Sequence, residues 1–174
     1  MNTINDIIKF NEQFVADKKY IPYAQERGLP RKQLAVLTCM DTRLVELLPA
    51  ALDLHNGDAK IIKNAGGCVL HPCGSVMRSL LVAVHALGVR DIMVVGHTDC
   101  GMEKLDVPAL SEKMKSVGVC PDSDVGTWLC GFEDGTDSVS KSVDIIKTHS
   151  LMPDYVSVRG FIMDINTGAL SEIN

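Results

Sequence analysis

The sequence has no basic surplus. Its 17 Lys and Arg stand against 22 Asp and Glu, for a formal net charge of -5 and a pI of about 5.5. No clustered basic face can be traced, which argues against a nucleic-acid backbone as partner. A continuous apolar run is also missing from the N-terminus. In MNTINDIIKFNEQFVADKKY the charged Asp6, Lys9 and Glu12 interrupt the apolar pattern, so neither a signal peptide nor a membrane span is expected, and the chain is expected in the cytoplasm. Pro/Ser-rich linkers, low-complexity tracts and internal repeats are absent too. With 46% hydrophobic residues over 174 positions, the reading is a single domain spanning 1–174. Six cysteines would suit a secreted miniprotein, but a chain this large and apolar needs no staples, and cytosolic thiols stay reduced. Metal binding or catalysis is the better reading of some of them, and buried packing of the rest.

What is present alternates between apolar strands and amphipathic helices. Thr3 to Val15 reads as a helix with Ile4, Ile7, Ile8, Phe14 and Val15 on one face and a Thr3/Asp6 capping box. QLAVLT is a buried-type strand, followed by a short helix in RLVELLPAALDL that Pro49 ends or kinks. AKIIKNAGG is a second strand closed by Gly66 and Gly67. Ser75 is expected to cap a helix through VMRSLLVAVHALGV that stops at Gly88. DIMVVG is the third strand, with helices expected near Ala109–Val117 and Ser138–Thr148. In YVSVRGFIMDINTGAL, Asn166, Thr167 and Gly168 read as a turn between two short strands. Positions 118–135 yield no element. The fold class is therefore α/β: a mainly parallel central sheet of order 2-1-3-4, with room for an antiparallel edge strand and helices on both faces. In that order the crevice between strands one and three is the switch point where ligands bind.

Two strands empty into chemistry at that crevice. LAVLT runs into Cys39, Asp41 and Arg43, and DIMVVG runs into His97 and Cys100. Cys39, His97 and Cys100 form a Cys2His set of soft and borderline donors suited to zinc, and three protein ligands leave the fourth position open, as in catalytic sites. Zinc lowers the pKa of bound water to about 7. Asp41 can accept a hydrogen bond from that water or swing in as fourth ligand, while Arg43 can hold it through a bidentate ion pair. The competing reading of the thiols is reduced, buried cysteine, and that of Asp41 and Arg43 is a structural pair at a helix start.

CMDTR followed by GHTDCGM, with KNAGG, RSLL and VRGFIMDINTG around them, resembles the β-class carbonic anhydrases, in their compact prokaryotic branch, from about Leu34 to Leu170. The resemblance implies that Cys39, His97 and Cys100 ligate zinc, that Asp41 and Arg43 form a catalytic dyad, and that Gly66, Gly67 and Gly101 wall the substrate pocket. It implies reversible hydration of carbon dioxide to bicarbonate and a proton. It also implies a homodimer embraced by the N-terminal helices, with tetramers left open, and no membrane or nucleic-acid partner. Hydrolysis of carbonyl sulfide or carbon disulfide on the same scaffold, or a zinc-binding regulatory protein without turnover, are the alternatives. Cys68, His71 and Cys73 cluster at a spacing that matches no justified site and read as structural, and Cys120 and Cys130 as reduced cysteines.

Overall fold

The computed structural model describes residues 3–24, 28–119, 128–129 and 131–173. Its centre is a five-stranded sheet in the order β2-β1-β3-β4-β5, formed by β1 (Leu34–Cys39), β2 (Ala59–Asn64), β3 (Asp91–His97), β4 (Ser157–Met163) and β5 (Leu170–Ile173). The first four strands are parallel and β5 closes the edge antiparallel to β4. This is the expected order with its edge strand in place.

β1 lies between two neighbours and is covered on both faces, which explains its unbroken apolar run. Its one polar member, Thr38, is fully buried and donates its hydroxyl to the Val95 carbonyl at 2.9 Å. One face of the sheet packs against α3 (Ser75–Leu87) and α5 (Gly135–Lys147), burying Met77, Leu80, Val84, Val139 and Ile146 with Leu37 and Val94. The other packs against α2 (Leu44–Ala51), with Leu44, Leu48, Val36, Val95 and Met163 in contact with Cys39 and Cys100. The site therefore sits on the α2 face.

Four expectations need correction. Gly74, not Ser75, is the N-cap of α3, and Ser75 is its first helical residue. Pro49 does not end α2, which continues to Ala51 because a proline in so short a helix forfeits little of the ladder. The helix expected from Ser138 begins at Gly135, where the Asp134 carboxylate accepts from Thr136 and Asp137 backbone N–H. α4 (Val107–Ser116) follows the Asp106 cap and begins two residues before the expected Ala109. The turn before β5 is as read: Asp164 accepts from the backbone of Asn166 and Thr167, and Gly168 takes φ 74°.

Among the described residues, α1 (Thr3–Ala16) has no buried member. Among the described residues, no helix is long and apolar enough to cross a membrane.

Candidate functional site

Parallel pairing of β1 with β3, in register from Leu34 opposite Asp91 to Thr38 opposite Val95, brings the carboxyl ends of both strands side by side. Cys39 ends β1, His97 ends β3, and the turn after β3 returns Cys100 to the same spot. The three are 5%, 2% and 2% exposed, and their ligand atoms lie within 4.8 Å of one another, the one such group among the described residues. The two Sγ atoms stand 3.9 Å apart. Zn–S bonds of about 2.3 Å in a tetrahedron place sulfurs about 3.8 Å apart, so the pair is already spaced for zinc.

His97 is oriented as a ligand. Its Nδ1 is 2.9 Å from the Thr98 carbonyl, which can only accept, so Nδ1 carries the proton and Nε2 presents its lone pair. Nε2 is buried without a hydrogen-bond partner among the described residues. A buried orphan nitrogen beside two thiols is costly unless a cation takes it, and this atom shows that the residues fit the metal. Thr98 is itself anchored: its N–H donates to the Met163 carbonyl and its hydroxyl accepts from Ile165 N–H.

The charge balance points the same way. Burial pushes the Cys39 thiol up, but the nearby His97 and the backbone N–H groups of Asp41 and Gly66 pull it down to about 7. Burial, with the neighbouring Cys39 charge, pushes Cys100 up to about 11. The approach of the Cys39 thiol raises the His97 imidazole. Two thiolates this close repel each other, and a dication between them removes the conflict.

Asp41 lies outside this donor group. Arg43 grips it through Nε to Oδ1 at 3.0 Å and Nη2 to Oδ2 at 2.8 Å, and the Arg43 backbone N–H donates to Oδ1 at 2.8 Å. Arg43 thereby holds Asp41 down at about 2. Both oxygens are engaged, so the carboxylate faces the site in its ion-paired form rather than as a metal ligand. The far side of the same guanidinium meets Asp99, with Nη1 on Oδ2 at 3.1 Å and Nη2 on the backbone carbonyl at 3.0 Å.

Gly66 and Gly67 form the turn after β2 against the ligand end of β1. A Cβ on Gly67 would lie 2.7 Å from the Thr38 carbonyl carbon and the Cys39 nitrogen, and both glycines have positive φ, so no other residue lets the turn approach so closely. Asn64 locks the turn by accepting from Cys68 N–H and donating to its carbonyl. Gly101 differs: a Cβ there meets nothing within 4 Å. Cys68 is buried while Cys73 is exposed, and His71 Nδ1 merely accepts from the Cys73 N–H. That cluster is a turn and not a second metal group among the described residues. Cys120 and Cys130 lie outside the described residues. Thr98 and Asp99 carry no role in the sequence pattern. The one available signal was a second carboxylate beside Arg43 across the crevice.

The sequence profile of the carbonic anhydrase family matches residues 34–130. The putative carbonic anhydrase YvdA of Bacillus subtilis is 46% identical over 183 residues, covering 99% of this chain and 92% of its own. Beta-carbonic anhydrase 1 of Mycobacterium tuberculosis is 33% identical over 146 residues, 83% of each chain. The crystal structure of the β-carbonic anhydrase isoform I of Trichomonas vaginalis superposes with a TM-score of 0.90 at 29% identity, covering 99% of this chain and 98% of that one. Carbon disulfide hydrolases are also among the similar proteins. With a Cys2His donor set at the matching strand ends, the chain belongs to the β-class carbonic anhydrase family.

Proposed function

We propose that this protein catalyses CO2 + H2O ⇌ HCO3⁻ + H⁺ with zinc held by Cys39 Sγ, His97 Nε2 and Cys100 Sγ. The observation that carries the reading is the orphaned, buried Nε2 of His97 aimed at two thiols beside an ion-paired carboxylate. When bound, zinc supplies the Lewis acidity that makes hydroxide available near neutral pH. Asp41, ionised throughout that range, accepts a hydrogen bond from the nucleophilic water and fixes its orientation. Arg43 keeps the carboxylate aligned and out of the ligand position, a task for a planar two-point donor. Gly66 and Gly67 let the turn after β2 close onto the ligand end of β1, and Gly101, beside Cys100, adds no side chain to the approach of a small linear substrate.

The proposal extends to a homodimer, since α1 has no buried residue among the described residues and Ile4, Ile7, Ile8 and Val15 of its apolar stripe are exposed, and to the cytoplasm, where ligand thiols stay reduced. Elemental analysis and stopped-flow hydration of carbon dioxide test it together: one zinc per chain and proton release that rises with enzyme concentration are expected. A fully zinc-loaded protein without turnover would overturn it in favour of a regulatory role, although such a role gives no reason for the Asp41–Arg43 pair. Hydrolysis of carbon disulfide or carbonyl sulfide needs the same metal chemistry, and hydrogen sulfide release measured on the same preparation separates that reading.

A further inference from the structure

We infer that Asp99 is a positioning residue that ties the Asp41–Arg43 pair to the turn carrying the other two metal ligands. Asp41 and Arg43 are two residues apart in one turn after β1, so their bidentate contact fixes them to each other but not to anything beyond that turn. Asp99 supplies the missing tie. It lies between His97 and Cys100, and it receives Arg43 twice, through its carboxylate at 3.1 Å and its backbone carbonyl at 3.0 Å. One guanidinium thus spans both strand ends, with Nε, Nη1 and Nη2 all engaged. Lys104 takes the other carboxylate oxygen, Oδ1, leaving Oδ2 to Arg43. Two carboxylates and two cations then alternate along the chain of contacts Asp41, Arg43, Asp99, Lys104.

The backbone carries independent weight. Asp99 has φ 55°, in the left-handed region that a side chain enters at a cost. Glycine would suit that turn better on backbone grounds, whereas Asp there directs both its carboxylate and its carbonyl to Arg43. The same feature makes the test clean, because Asp99→Gly removes the carboxylate while favouring the native turn. Asp99→Asn keeps one acceptor oxygen for Arg43 at the same reach and tolerates the same φ, but removes the charge and gives up the oxygen that Lys104 takes.

The inference rests on the carbonic anhydrase reading for its functional consequence but not for its geometric one. Nitrogen-15 NMR of the Arg43 guanidinium, on both the zinc-free and the zinc-loaded protein, reads the tie directly. The parent should show resolved Nη signals from hindered rotation about Nε–Cζ. Asp99→Gly should shift and broaden the signal of Nη1, the nitrogen whose partner is the Asp99 carboxylate, while Nη2 stays held by Asp41 and the residue-99 carbonyl, and Asp99→Asn should lie between. In the zinc-loaded proteins, Asp99→Gly should lower kcat/KM for hydration about three- to tenfold, the scale of one partly exposed charge-assisted hydrogen bond, and Asp99→Asn should recover part of it at equal zinc content. Resolved Nη signals in Asp99→Gly equal to the parent's would overturn the inference. Equal kcat/KM in all three proteins would do the same, and so would loss of zinc in both variants, which would make Asp99 a residue of the ligand turn alone. If Asp99→Gly does not fold, the comparison of Asp99→Asn with the parent decides by the same criteria. A parent that loads zinc but hydrates no carbon dioxide sinks the functional reading, and the guanidinium spectra still judge Asp99.

Discussion

Cys39 and Cys100 meet at 3.9 Å in a buried pocket, where two negative charges persist only if a cation lies between them. Replacing one sulfur by a harder, less acidic oxygen removes that arrangement. Cys39→Ser should therefore weaken zinc binding by at least about 100-fold, measured by chelator competition, and full occupancy in that variant would move the metal elsewhere. Arg43 acts one step further out. Asp41 sits at about 2, below its ordinary 3.8, so its ion pair stabilises the fold at every pH above roughly 4 and fades as pH falls toward 2. Its titration consequently contributes nothing near neutrality, and activity should rise with pH through about 7 as water at the metal loses its proton. Arg43→Ala frees Asp41 from its grip while leaving it ionised, so the metal's charge can draw the carboxylate into the fourth position. Turnover should fall about 10- to 100-fold with zinc retained, and Arg43→Lys should restore only part, because an ammonium lacks the planar two-point contact. Loss of zinc in Arg43→Ala, measured alongside stopped-flow rates, would recast the residue as structural.

At the scale of elements, the site depends on how closely the turn after β2 approaches the end of β1. Gly67→Ala would drive a methyl to 2.7 Å from backbone atoms of Thr38 and Cys39 at φ 64°, and neither backbone has a flexible end to yield. A loss of about 2–4 kcal/mol in urea denaturation is expected, with weaker zinc binding as Cys39 shifts. Gly101→Ala faces open space and should stay within about 0.5 kcal/mol of the parent, a contrast that separates close approach from mere glycine content. Both glycines were readable as part of the resemblance, but only the folded packing distinguishes the crowded one from the open one. The same division runs through the fold. β1 and β3 were legible because parallel central strands write themselves as unbroken apolar runs, and Cys39 and His97 because such runs end abruptly at polar donors. The start of α5 was hidden: Asp134 caps it, but Gly135, Thr136 and Asp137 have the composition of a loop, and capping overrides propensity there. Asp99 was hidden because its role arises from a contact with Arg43, 56 residues away, that no local pattern encodes.

For the molecule as a whole, α1 poses a solvation problem that one chain does not solve. Ile4, Ile7, Ile8 and Val15 are 69%, 61%, 51% and 53% exposed, and a 14-residue helix with no buried residue among those described is marginal in water. Met40, Val45 and Leu70, one or two positions in sequence from Asp41, Arg43 and Cys68, are also more than 60% exposed. A second copy that receives α1 and covers these side chains would bury them at once and would exclude bulk water from the crevice, which strengthens the ion pair and the metal's field. The assembly and the chemistry are then linked. Ile7→Asp combined with Ile8→Asp should convert a dimer into a monomer in sedimentation or light scattering, reduce far-ultraviolet helicity by roughly the α1 contribution, and lower turnover at unchanged zinc stoichiometry. A double variant that remained dimeric with full helicity would show that α1 packs elsewhere. A parent protein that ran as a monomer at micromolar concentration with full turnover would remove the second subunit from the account of the site.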